Sequence, residues 1–167
     1  MTTFDLRTVR IRSGDQAHER VEIELEPLVL GGQSYEPMPN PAPAELSVTR
    51  ASSGTVLELA LDVSLAGPCF RCLQDAEQAL ELRLREYQAT HPGSDEEQTE
   101  YLEDDRVDLS GWAHDAISLA LPDKILCRPD CAGLCPVCGK DLNTEPHEHV
   151  EERADPRWEK LSQLRQE

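Results

Sequence analysis

Residues 127–149 constrain this chain more than any other stretch. They read CRPDCAGLCPVCGKDLNTEPHEH, with four cysteines in the spacing C-x3-C-x3-C-x2-C and an H-x-H after a gap of eight residues. Thiolate sulfur and imidazole nitrogen are the ligands that Zn²⁺ prefers, and four of them close a tetrahedral structural site. The centre of the cluster is Cys135-Pro136-Val137-Cys138-Gly139-Lys140. Two thiolates three positions apart in a tight turn can share one ion. Gly139 sits where the backbone must turn back beneath it, a position that often needs positive φ. The competing uses of such a cluster are a disulfide pair or free core thiols.

One zinc ion needs four ligands, and the tail offers six. Cys135 and Cys138 belong to every solution. Cys127 and Cys131 are four apart, so one helical turn would place both on one face. His147 and His149 are two apart, so on an extended segment they project to one side. Spacing leaves both completions open, along with a shared site that uses all six. Cys69 and Cys72 form a separate C-x2-C. They read as a buried structural thiol pair or as a half-site completed by tail ligands. A thioredoxin-like redox pair would sit at a helix N-terminus, and this pair lies within a strand meander.

The chain's 167 residues carry 16 Lys and Arg against 33 Asp and Glu, a net charge of −17. That balance argues against general RNA or DNA binding, which needs excess Lys and Arg to neutralise phosphates. It suits a basic partner, ribosomal proteins being one such class. The N-terminus has no apolar run of signal-peptide length, and no stretch is long enough to span a bilayer. A reducing cytosol is therefore expected, where clustered cysteines favour metal over disulfides. No P-loop, dinucleotide fingerprint or nucleophile elbow is present, and no enzymatic activity is expected.

Hydrophobic alternation predicts the rest. Val21, Ile23 and Leu25 alternate with glutamates in a half-buried strand. Gly31-Gly32 is a turn, and Pro37, Pro39, Pro41 and Pro43 predict an extended loop. Leu46 and Val48 mark a strand. Leu57, Leu59, Leu61, Val63 and Leu65 mark a longer one that Gly67-Pro68 should break. Leu80, Leu82 and Leu84 mark a third, with the CFRC segment at its connection. Residues 91–108 read as an acidic loop with a short strand at Tyr101 and Leu102. Ser110 is the expected cap of a helix carrying Trp112, Ala113, Ala116, Ile117 and Ala120, and Pro122 ends it. Asp155-Pro156 should start a last helix with Trp158, Leu161 and Leu164 on one face. The expected fold is α+β. An antiparallel sheet, open or barrel-like, carries one packed helix in a core of residues 1–122. A zinc-knuckle tail with a short terminal helix follows at 123–167.

In order along the chain, Pro68-Cys69-Phe70-Arg71-Cys72-Leu73, Val107-Asp108-Leu109 and Leu119-Ala120-Leu121-Pro122 are followed by the run from Cys131 through Gly139, then Leu142-Asn143 and Asp155-Pro156-Arg157. Together these pieces resemble the YceD family, the large ribosomal RNA subunit accumulation proteins, over roughly residues 60–165. Many metal-bearing relatives carry C-x-C where this chain has His147-Glu148-His149, and histidine for cysteine keeps a zinc ligand. The resemblance implies a bacterial cytosolic accessory factor for large-subunit biogenesis, not an enzyme. Its partner would be a basic ribosomal protein or a large-subunit pre-ribosomal particle. Direct RNA contact is an alternative, and Arg71, Arg83 and Arg85 could supply a small basic patch for it. A thiol or metal redox sensor is another.

Overall fold

The computed structural model describes residues 1–94 and 97–149. The strands are β1 (Thr3–Asp5), β2 (Gln16–Ile23), β3 (Leu28–Leu30), β4 (Gln33–Met38), β5 (Ala42–Arg50), β6 (Gly54–Pro68), β7 (Asp75–Ala89), β8 (Leu102–Glu103) and β9 (Arg106–Asp108), followed by helix α1 (Leu109–Ala120). The expected terminal helix lies outside the described residues. No described helix is long and apolar enough to cross a membrane.

β6 organises the larger sheet. Along one edge it pairs with β5 over Thr55 to Leu61 and with β4 over Ser64 to Ala66; along the other it pairs with β7 for its whole length. β2 extends the sheet beyond β5, and β3 extends it beyond β4. All these pairings are antiparallel. A second sheet has the order β1-β9-β8. Among the described residues the sheets do not close into a barrel, so the architecture is an open antiparallel α+β arrangement.

The alternation in the sequence sets which face is buried. Leu57, Leu59, Leu61, Val63 and Leu65 of β6 point into the core with Leu46 and Val48 of β5 and Leu80 and Leu82 of β7. Leu61 stands opposite Leu82, and Val63 opposite Leu80. Each such leucine is worth about 1.5–3 kcal/mol of burial. The opposite face carries charge. Arg83 pairs with Asp62 at 2.9 Å and Arg85 with Glu58 at 3.7 Å.

Two expectations about strand ends are corrected. Gly67-Pro68 does not break β6. A Cβ at Gly67 would lie 2.5 Å from the Tyr35 ring and 2.8 Å from the Ser34 carbonyl, so glycine is what lets β4 approach there. The Tyr35 hydroxyl then donates to the Pro68 carbonyl at 2.9 Å. The proline-rich stretch is likewise not all loop, since β4 includes Pro37 and β5 includes Pro43. Each lies where its strand is paired on one side only: Pro37 with β6, past the β3 pairing, and Pro43 with β2, before the β6 pairing begins. A residue without an N–H is tolerated at such positions.

Helix α1 buries Leu109, Trp112, Ala113 and Ile117. Its cap is Asp108 and not Ser110: the Asp108 carboxylate accepts the Gly111 N–H at 3.0 Å. The Ser110 hydroxyl accepts from the Thr2 N–H and donates to the Glu24 carbonyl, both at 2.7 Å, tying the N-terminus to the helix. Asp108→Ala is expected to cost about 1 kcal/mol, the usual worth of an N-cap. Urea unfolding checks it, and an unchanged midpoint would count against this capping.

Candidate metal centres

Cys69 and Cys72 sit in the tight turn joining β6 to β7. The Cys69 N–H donates to Gln74 O at 2.7 Å, extending the ladder, and the Leu73 N–H donates back to Cys69 O at 3.0 Å. Both cysteines are buried. The chain leaving α1 crosses this turn. Phe70 N–H donates to Ile125 O at 2.8 Å, and Leu134 N–H to Arg71 O at 3.1 Å. The Arg71 guanidinium donates to Cys131 O at 2.7 Å. These bonds carry Cys127 and Cys131 onto the hairpin tip. Cys69 Sγ lies 3.8 Å from Cys131 Sγ, and Cys72 Sγ lies 3.6 Å from Cys127 Sγ. All four sulfurs lie within 4.8 Å of one another.

That geometry fits a single ion. With Zn–S bonds of about 2.3 Å, a tetrahedron of sulfurs has edges of about 3.8 Å. The separations are far too long for disulfides, and all six cysteines are free. Without a cation the quartet is electrostatically frustrated. Burial pushes the Cys69 thiol up, but backbone N–H groups of Cys72, Cys127 and Arg71 outweigh it and bring its pKa to about 6. Desolvation and then the neighbouring thiols Cys72, Cys131 and Cys69 push Cys127 the other way, to about 12. One thiolate is favoured and further charge beside it is not, as expected for like groups in contact. A divalent cation removes that conflict, and its binding releases protons.

The second quartet is Cys135, Cys138, His147 and His149, again within 4.8 Å of one another. Cys135 N–H donates to Lys140 O and Gly139 N–H to Cys135 O, both at 2.8 Å, closing the turn. Gly139 has φ of 74°, the left-handed conformation that glycine adopts without strain. Cys138 Sγ lies 3.1 Å from His147 Nε2, while His147 Nδ1 lies 2.6 Å from Glu145 O. A proton on Nδ1, donated to that carbonyl, leaves the Nε2 lone pair free for a metal. This carbonyl contact, and then the Cys135 thiolate, raise the pKa of His147. The backbone N–H of Cys138, ahead of opposing burial and the N–H of Val137, lowers Cys135 to about 6. Cys135 is buried, whereas Cys138 and His149 are exposed.

All eight candidate ligands therefore fall into two groups, each able to hold a metal ion. The structure does not bring the four tail cysteines together. It joins Cys135 and Cys138 to the two histidines and assigns Cys127 and Cys131 to Cys69 and Cys72. Cys127 and Cys131 lie in a turn with Cys131 N–H bonded to Arg128 O, not in a helix. One residue that spacing alone did not single out is Asn143, whose amide Nδ2 lies 3.6 Å from Cys131 Sγ. The basic patch does not form. Arg71 binds the tail, while Arg83 and Arg85 lie eight and ten residues along β7 from its start at the hairpin tip, at least roughly 26 Å of strand.

The fold and these centres define a β-sheet protein whose tail meets a hairpin tip at one four-cysteine group able to hold a metal ion, with a second such group formed within the tail. Residues 57–165 match the family described as Large ribosomal RNA subunit accumulation protein YceD, and the chain belongs to that family. An uncharacterised protein of Mycobacterium tuberculosis, Rv2926c, is 36% identical over 125 residues, covering 72% of this chain and 60% of its own length. An uncharacterised Mycobacterium leprae protein, ML1660, is 30% identical over 129 residues, covering 74% and 59%. The Bacillus subtilis protein YlbN is 27% identical over 114 residues, covering 64% and 66%. The chain thus spans about 60% of the length of the mycobacterial relatives. No solved structure matches it.

Two separate quartets set the expected stoichiometry at two ions per chain. Cys69→Ser with Cys72→Ser should lower metal content from two to one, as should His147→Ala with His149→Ala, and the four changes together should abolish it. Elemental analysis of the purified chain checks this; retention of two ions in either double variant would contradict the division.

Proposed function

We propose that this chain is a non-enzymatic accessory factor in large ribosomal subunit biogenesis, acting in the cytoplasm and folded around two structural Zn²⁺ ions. The observation that carries the reading is the pair of quartets, in a chain of a family described by large ribosomal RNA accumulation. Sulfur-only and mixed sulfur–imidazole tetrahedra suit zinc over harder cations. Four protein ligands at each centre leave no open position of the kind a catalytic zinc keeps for water or substrate. Zinc bound at such sites contributes folding free energy directly. In this reading residues 123–167 are a metal-held tail on a core of residues 1–122.

The partner is a basic ribosomal protein or a large-subunit pre-ribosomal particle. Support comes from the net charge of −17, since complementary charge speeds encounter and sets specificity. The engagement of Arg71, Arg83 and Arg85 by the chain's own groups argues against these residues as a phosphate-binding surface. Depleting the protein in its host should lower large-subunit RNA relative to small-subunit RNA. The wild-type chain should restore the balance and a Cys69→Ser chain should not. Sucrose-gradient profiles with RNA quantification check this. An unchanged subunit ratio on depletion would overturn the assignment.

A further inference from the structure

Asn143 does more than close a loop. Its Oδ1 accepts the Ala132 N–H at 2.8 Å. Its Nδ2 lies 2.6 Å from Asp141 Oδ1 and 3.6 Å from Cys131 Sγ. Asp141 Oδ1 also accepts the Asn143 backbone N–H at 2.9 Å, which fixes the side chain from behind. An amide nitrogen has two hydrogens, so one can serve Asp141 while the other points at sulfur. Cys131 is wholly buried, out of reach of solvent donors. The amide therefore supplies a hydrogen bond to a sulfur that has few other sources of one.

Asn143 belongs to the other metal loop. It stands two residues after Asp141, which bridges to Leu134 next to Cys135. Leu142 N–H donates to Gly133 O at 2.9 Å in the same crossing. The segment that carries Cys131 to Cys135 is thus strapped to the segment between Cys138 and His147, with Asn143 at the point nearest a sulfur.

We propose that Asn143 is a positioning residue for the four-cysteine centre, reaching from the cysteine–histidine loop to orient Cys131 and to neutralise part of its thiolate charge. This rests on the reading that the quartets hold metal. Groups that bond to a ligand set its orientation and basicity, and losing one commonly costs 10–100-fold in affinity. An N–H bonded to a metal thiolate also draws electron density from sulfur, so removing it should move the sulfur-to-metal charge-transfer band to lower energy.

The test uses the full chain loaded with Co²⁺, whose thiolate charge-transfer absorption reports on the sulfur ligands. Asn143→Ala removes both amide contacts. Asn143→Asp, made together with Asp141→Asn so that no two carboxylates meet, keeps an oxygen for the Ala132 N–H but cannot donate to sulfur, which guards against a simple folding defect. Both variants are expected to shift the charge-transfer band to lower energy. Both should release the four-cysteine ion to a chelator about 10–100-fold faster than wild type. The ion bound by Cys135, Cys138, His147 and His149 should leave at the wild-type rate. If the Asn143→Asp, Asp141→Asn chain keeps the wild-type band and release rate while the wild-type chain binds two ions, the assignment fails and the metal reading stands. If the wild-type chain binds no Co²⁺, both fail.

Discussion

The four sulfurs beneath the β6–β7 turn are the constraint on which the rest of the tail's structure depends. Three of them, Cys69, Cys72 and Cys131, belong to the hydrophobic core itself. Thiols so close cannot share one buried space as thiolates without a counter-charge, and as neutral thiols they bond only weakly. A single divalent cation would convert the cluster from a repulsive contact into a cross-link between the hairpin and the tail. The sheet makes that possible. A hairpin of two 15-residue strands presents the tip, and buried Ile125, whose carbonyl accepts the Phe70 N–H, brings the chain after α1 back to it.

The second quartet is built next to the first. Leu134 is held by the Arg71 carbonyl and by its bridge to Asp141, so the turn that presents Cys135 and Cys138 is built outward from the hairpin. Burial falls along the same direction, from wholly buried Cys69 and Cys131 to exposed Cys138 and His149. Three of the four inner cysteines are buried and Cys127 is exposed, whereas Cys135 alone is buried in the outer group. Each group offers four protein ligands, the number that closes a structural tetrahedron.

Much of the scaffold was legible in the sequence because a half-buried strand has a period of two. The leucines of β6 and β7 announced themselves in that way, and the alternating charges between them marked the solvent face. Punctuation misled where tertiary contacts outweighed local preference. Gly67 reads as a strand breaker until Tyr35 is seen against it, and Pro37 and Pro43 read as loop until their pairing on one side only is known. Ser110 was a reasonable cap, but the residue three before Gly111 was better placed. The ligand residues were visible as residue types, while their grouping was not. Cys69 and Cys127 are brought together by a hairpin of two 15-residue strands and a chain crossing that no local pattern encodes. The count carried a hint: six cysteines and two tail histidines make eight ligands, two tetrahedra and not one.

The central claim is that both quartets bind zinc through protein ligands alone. X-ray absorption at the zinc edge of the intact, zinc-loaded chain tests it most directly, because it reads the ligand atoms themselves. Six cysteines and two histidines over two ions predict an average shell of three sulfurs at about 2.3 Å and one nitrogen at about 2.0 Å. A shell rich in oxygen, or one of four sulfurs with no nitrogen, would contradict the account.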